Sequence, residues 1–152
     1  MSTQADIDKI MKQLLDMKKT VEKDFSEVGD KAVDLIKKRT RLGYGVSDHG
    51  KPKKKLKKLS PAYIAARKKN KPKGLTSPSK SNLTNSGDML DNLESKDLKN
   101  NKIEIGFNNS KDEKKAKWVS DDRPFNNLSK SELKQLKQLI DKSIKEAIKK
   151  NN

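Results

Sequence analysis

The stretch from Gln4 to Gly43, QADIDKIMKQLLDMKKTVEKDFSEVGDKAVDLIKKRTRLG, decides the architecture. Its apolar side chains fall at Ile7, Ile10, Met11, Leu14, Met17, Val21, Phe25, Val28, Ala32, Leu35 and Ile36. Steps of three and four put them on one side of an α-helix. Thr3 is placed to cap the start, and Asp6 and Asp8 suit the positive end of the helix dipole. Lys37, Lys38, Arg39 and Arg41 suit the negative end, and Gly43 can close it. A helix over 4–40 is about 50 Å long at 1.5 Å per residue. Gly29 is a candidate bend.

A chain of 152 residues fits one domain, yet only 30% of it is hydrophobic and 4% aromatic. The core is therefore thin, and a small core covers a stripe of that length poorly. Ile7, Ile10, Met11, Leu14, Met17 and Val21 are accordingly candidates for a subunit interface. The alternative is a helix whose stripe is spent wholly inside its own chain.

Beyond the helix, the pattern predicts an α+β fold: a small antiparallel sheet and a C-terminal helix follow a long basic loop. Residues 42–82 form the loop or arm, broken by Gly43, Gly45, Gly50, Pro52, Pro72, Gly74 and Pro78. A short helix can sit within it, capped by Ser60 with Pro61 at its first position. Leu83, Met89, Leu90 and Leu93 suggest a second helix starting near Ser86. Ile103-Glu104-Ile105-Gly106-Phe107 alternates like a half-buried strand. Asn108, Asn109, Ser110 and the charged run after them read as a turn. Ala116-Lys117-Trp118-Val119 is then the expected partner strand, with Trp118 in the core. Ser129-Lys130-Ser131-Glu132 has the spacing of a capping box. Leu133, Leu136, Leu139, Ile140, Ile144, Ala147 and Ile148 make the apolar face of the last helix.

The net charge of +16 is concentrated in one place. Residues 1–48 hold ten basic and nine acidic residues, and residues 88–152 hold fifteen and twelve. Residues 49–87 hold twelve basic and no acidic ones. The candidate contacts are Lys51, Lys53, Lys54, Lys55, Lys57, Lys58, Arg67, Lys68, Lys69, Lys71 and Lys73. Like charges this dense repel, so the free segment reads as an extended arm or mobile loop. It suits either DNA phosphates, which ask only for positive charge and reach, or an acidic partner protein. No zinc finger, basic zipper or row of aromatics is present to read bases.

No catalytic centre, cofactor site or metal site is expected. The chain has no cysteine, so disulfides and thiolate metal sites are excluded. Gly45-Val46-Ser47-Asp48-His49-Gly50-Lys51 has the spacing of a phosphate-binding P-loop. Pro52 stands where that motif needs Ser or Thr, and a helix end precedes it instead of a strand. His49 is the single histidine and reads as an exposed loop residue. Asp88, Asp91 and Glu94 look like the first turns of a helix, and with Asp121 and Asp122 they show no EF-hand spacing. No run approaches the roughly 20 apolar residues of a membrane span, and the first residues do not read as a signal peptide.

Several short segments, in order, resemble the virion-morphogenesis (tail-completion) proteins of tailed bacteriophages. Leu59-Ser60-Pro61-Ala62-Tyr63-Ile64-Ala65-Ala66-Arg67-Lys68 is similar to a stretch that follows the long helix in that family. Ser81-Asn82-Leu83-Thr84-Asn85-Ser86-Gly87-Asp88-Met89-Leu90 resembles its helix start, and Ile103–Phe107 its strand. Arg123-Pro124-Phe125-Asn126-Asn127-Leu128-Ser129 is similar to its lead into the last helix. Asn126 and Asn127 stand where Leu and Gly are usual. The resemblance covers about residues 30–148. It implies a structural, non-catalytic subunit made in the host cytoplasm and carried in the virion at the head–tail junction. It also implies a homo-oligomeric ring of six- or twelve-fold symmetry, a tail terminator or head–tail connector. Its partners would be other neck, portal or tail-tube proteins, with the basic loop near genomic DNA and no membrane involved. The alternative is a sequence-independent nucleic-acid-binding protein.

Overall fold

The computed structural model describes residues 4–70, 77–83, 88–98 and 102–150. The cap expected at Thr3, the helix start expected near Ser86, and Lys71 and Lys73 lie outside them. The fold is α+β. A 38-residue helix α1, Gln4–Arg41, is its spine, about 57 Å long. It ends as its sequence suggests. The Leu42 amide donates to the Lys38 carbonyl at 3.2 Å, the Gly43 amide to Thr40 at 2.9 Å, and Gly43 turns the chain at φ +92°.

The apolar face of α1 is covered from two sides, and only along its second half. Val28 and Ala32 pack against Leu136 of α5, Lys130–Lys150. Val33 and Ile36 face a second cluster of Met89, Leu90, Leu93, Ala116 and Phe125. Arg39 meets Glu132 near one end of the helix pair, and Asp24 meets Ser143 further along, so α1 and α5 run antiparallel. Seven more residues bring α5 to its end at about the level of Met17. The first three turns of α1 therefore stand clear of α5.

The sheet differs from the one predicted. Strand β3, Leu93–Leu98, pairs with β4, Lys102–Phe107, with Leu93 opposite Phe107 and Leu98 opposite Lys102. Strand β4 is the strand expected from its alternation. Its partner is the segment expected to continue a helix: α3 covers only Asp88–Asp91, and Glu94 sits on a strand. Leu90, Leu93 and Phe107 pack in one cluster, a grouping that spacing along the chain cannot distinguish from a helical one.

The expected partner strand at 116–119 is helical instead, inside α4, Ser110–Asp122. Asn109 caps this helix through the Asp112 amide at 2.8 Å. The buried Asp112 carboxylate accepts from the side chains of Asn92 and Asn109, both at 2.7 Å, which hold its pKa below the usual carboxylate range. A turn is the expectation at these asparagines, but Asn favours turns and caps alike, and here it caps. Trp118, expected in the core, is 82% exposed. Gly29 lies where the hairpin crosses α1: an added Cβ would sit 3.0 Å from Ile103 Cγ2 and 3.1 Å from Ser95. Its role there is close approach of helix and hairpin.

Strand β1, Tyr44–Gly45, pairs with β2, Lys54–Lys55, closing the first part of the basic segment into a loop. Helix α2, Pro61–Asn70, starts as predicted, with the Tyr63 amide donating to Ser60 Oγ at 3.2 Å. Gly45 lies against the turn before α5, where an added Cβ would be 2.2 Å from the Pro124 carbonyl oxygen and 2.6 Å from Leu56 Cδ2. The first contact is with backbone and cannot rotate away. Gly45→Ala is expected to destabilise the protein by about 1–3 kcal/mol through overpacking. Chemical denaturation reads it as a lower midpoint at unchanged slope. An unchanged midpoint would mean that β1 does not seat on the Pro124 turn.

Candidate functional site

A buried junction between α1 and the start of α5 supports the basic face. Arg39 is 6% exposed although it is charged. It lies three residues after Ile36, so the helix directs it into the interior with the apolar stripe. Its guanidinium forms an ion pair with Glu132 and donates to the carbonyl of Phe125, and to that of Asn127 at 2.9 Å. Burial pushes the guanidinium below its ordinary pKa, and the Glu132 charge and hydrogen bond pull it back. Glu132 also closes the predicted capping box. It accepts from the Ser129 amide at 2.9 Å, and its own amide donates to Ser129 Oγ at 3.2 Å. One carboxylate thus starts α5 and ties it to α1.

The turn so held grips the basic segment by its backbone. Arg123 donates through Nε to the Lys57 carbonyl and through Nη2 to that of Lys58, both at 3.0 Å. Asn127 Nδ2 donates to the carbonyls of Val46, at 3.0 Å, and Ser47, at 3.1 Å. The Val46 amide donates to the Pro124 carbonyl at 3.0 Å, and the Gly50 amide to that of Leu128 at 2.9 Å. Residues 46–58 are therefore fastened to the body, which corrects the expectation of a free arm. Asn127 thus has a structural role in this fastening.

The grip leaves the side chains outside. Lys51, Lys53, Lys54, Lys55, Lys57 and Lys58 are all exposed, as are Lys68 and Lys69 on α2. Lys53 lies over the Tyr44 ring at 5.0 Å, and Lys57 is 3.7 Å from Asp122. Arg67 does not belong with them. It is 4% exposed, stacks near Tyr63 and donates to the Lys80 carbonyl at 3.1 Å. It holds α2 to residue 80, because its place on the helix turns it inward.

At the other end of the spine, the start of α1 carries Ile7, Ile10, Met11, Leu14 and Leu15, between 45% and 55% exposed. Met17 and Val21 are half-buried, where α5 begins to cover the stripe. The six candidate interface residues thus divide into four that stand free and two at the edge of the core.

Other sequence features resolve into structure. The segment with P-loop spacing runs from Gly45, the end of β1, into a loop, and β2 rather than a helix follows it. His49 is exposed but engaged, its Nδ1 accepting from the Leu128 amide at 3.1 Å. Asp91 pairs with Arg41 at 2.8 Å. Among the described residues no three His, Cys, Asp or Glu side chains gather as a metal site, and no helix is long and apolar enough to cross a membrane. The chain matches no family model, and no curated protein or solved structure is significantly similar to it.

Arg39→Met keeps the aliphatic stem but leaves Glu132 buried without its cation. It is expected to cost about 3–5 kcal/mol, a large part of a small domain's stability. Ser129→Ala removes only the cap and should cost about 1 kcal/mol. Urea melts of the two variants test the ranking. Equal losses of stability would mean that Arg39 is not the tie between the helices.

Proposed function

We propose that this chain is a non-catalytic structural subunit of the neck of a tailed bacteriophage, assembling into a ring that completes the tail and joins it to the head. The observation that carries the reading is the free end of α1. Five large apolar side chains stand on three turns of helix that their own chain leaves uncovered. Exposed apolar surface of this kind marks an interaction site. Covering it with other subunits supplies burial that the thin core lacks.

The motif order also supports it. Arg123-Pro124-Phe125 and Leu128-Ser129 belong to the resemblance, and both segments converge with Arg39 on the same buried junction. The packing of this chain therefore depends on residues of that one resembling segment. The fastened basic face gives such a ring a surface for passing DNA or an acidic neighbour. A second reading, sequence-independent binding of nucleic acid by a free protein, is favoured by the exposed lysines alone.

Antibody-gold labelling of purified virions separates the two. The ring reading expects a single spot at the head–tail junction. Bare particles, with the protein on DNA in the infected cell, would replace it with the second reading. For the basic face, Lys53, Lys54, Lys55, Lys57 and Lys58 changed together to Ser should leave the fold intact. DNA affinity should fall, and the slope of log K against log salt should flatten by about 0.9 for each phosphate no longer neutralised. An unaltered slope would mean that these lysines do not touch DNA.

A further inference from the structure

We infer that the free end of α1 docks into the cleft beside Trp118 of a second copy of this chain, so that copies join head to tail. The inference rests on the ring reading above and names the contact that would close the ring.

A ring requires a heterologous contact, in which one patch meets a different patch on the next copy. Two patches of the described residues fit this requirement. The first is the start of α1. The second is a cleft of about 760 Å³ between β4 and α4, lined by Ile105, Phe107, Ala116 and Trp118. Trp118 is 82% exposed, and a large aromatic at the mouth of a cleft is the side chain most often found anchoring protein interfaces.

The shape of the α1 face favours this cleft over a second α1. At 100° per residue, the apolar side chains between Ile7 and Val21 span about 160° of the helix, wider than a coiled-coil seam. A single facing helix leaves part of that face wet. Within the chain, the continuation of the same face is covered from two sides, by the β3–β4 hairpin and by α5. The Trp118 cleft offers the same pairing, a strand on one wall and a helix on the other. At the same 100° per residue, Asp6 and Asp8 border the two edges of the apolar arc and Lys18 falls within it, and the cleft carries Lys96 and Lys117 beside Glu104, Glu113 and Asp121. Each surface therefore has charges of opposite sign to offer the other.

Trp118 is the single tryptophan, so its fluorescence reports the cleft without any change to the chain. Emission and light-scattering mass are followed together as the full-length protein is concentrated. Mass should rise while emission moves to shorter wavelength, and Leu14→Asp, at a position 55% exposed, should abolish both without altering the far-ultraviolet circular dichroism. Because the chain has no cysteine, engineered pairs give a second readout. Oxidised mixtures of Met11→Cys and Ser120→Cys chains should give the mixed disulfide dimer. A rise in mass with unmoved emission, or disulfides between two Met11→Cys chains only, overturns the docking and leaves the ring reading standing. Protein that stays a single chain with unmoved emission also overturns the docking. The ring reading is then judged separately by the gold label.

Discussion

A buried guanidinium has to be met by acceptors, and the way Arg39 is met organises this protein. Five donors in a planar fork leave few arrangements open, and the one adopted recruits Glu132 and two carbonyls of the turn before α5. Because Glu132 also closes the cap of α5, the ion pair sets where the second long helix begins and how it lies on the first. The same turn carries Phe125, fully buried against Phe107 in an edge-on ring contact at 6.5 Å, and so fixes the hairpin's place in the core. The basic loop is fastened to that turn as well. A buried ion pair is weak evidence for net stability, since desolvation offsets much of its attraction. Its effect here is geometric: it leaves few ways to arrange four segments distant in sequence.

A thin core explains the division of the rest. With so few apolar side chains, the fold closes around the second half of α1 and leaves the first half bare. The charged residues are sorted as well. Near-balanced surfaces lie on both helical ends of the chain, while the basic excess is confined to a loop held by its carbonyls. The exposed end of α1 and the basic face thus stand apart from the folding core, and the turn at residues 123–129 ties the basic face to it.

Much of the architecture is legible in the sequence. The period of α1, its Gly43 stop, the Ser60–Pro61 start of α2, strand β4 and the Ser129 capping box all rest on local chemistry, and local chemistry decides them. The departures have two causes, a tertiary strand pairing and a local cap at a site that also suits a turn. Leu93 and the residues after it form a strand because β4 offers an edge, and Ala116-Lys117-Trp118-Val119 is helical because Asn109 and Asp112 cap the run before it. Residue type alone puts Trp118 in the core, and only the fold reveals that α4 turns it outward. Arg39 suits a helix end by its charge. Its place on the apolar stripe is the available signal for burial, but nothing in the sequence names Glu132 as its partner.

The grip on the basic loop has a consequence for how such a protein can change. Arg123 and Asn127 hold carbonyl oxygens, which every amino acid carries, so the fastening is indifferent to which side chains stand at the exposed positions 47, 57 and 58. The electrical character of this face is therefore uncoupled from the packing that supports it. Mutation can dilute, reverse or redistribute its charge while the scaffold beneath stays the same. A lineage carrying this fold can alter this face without relearning how to fold.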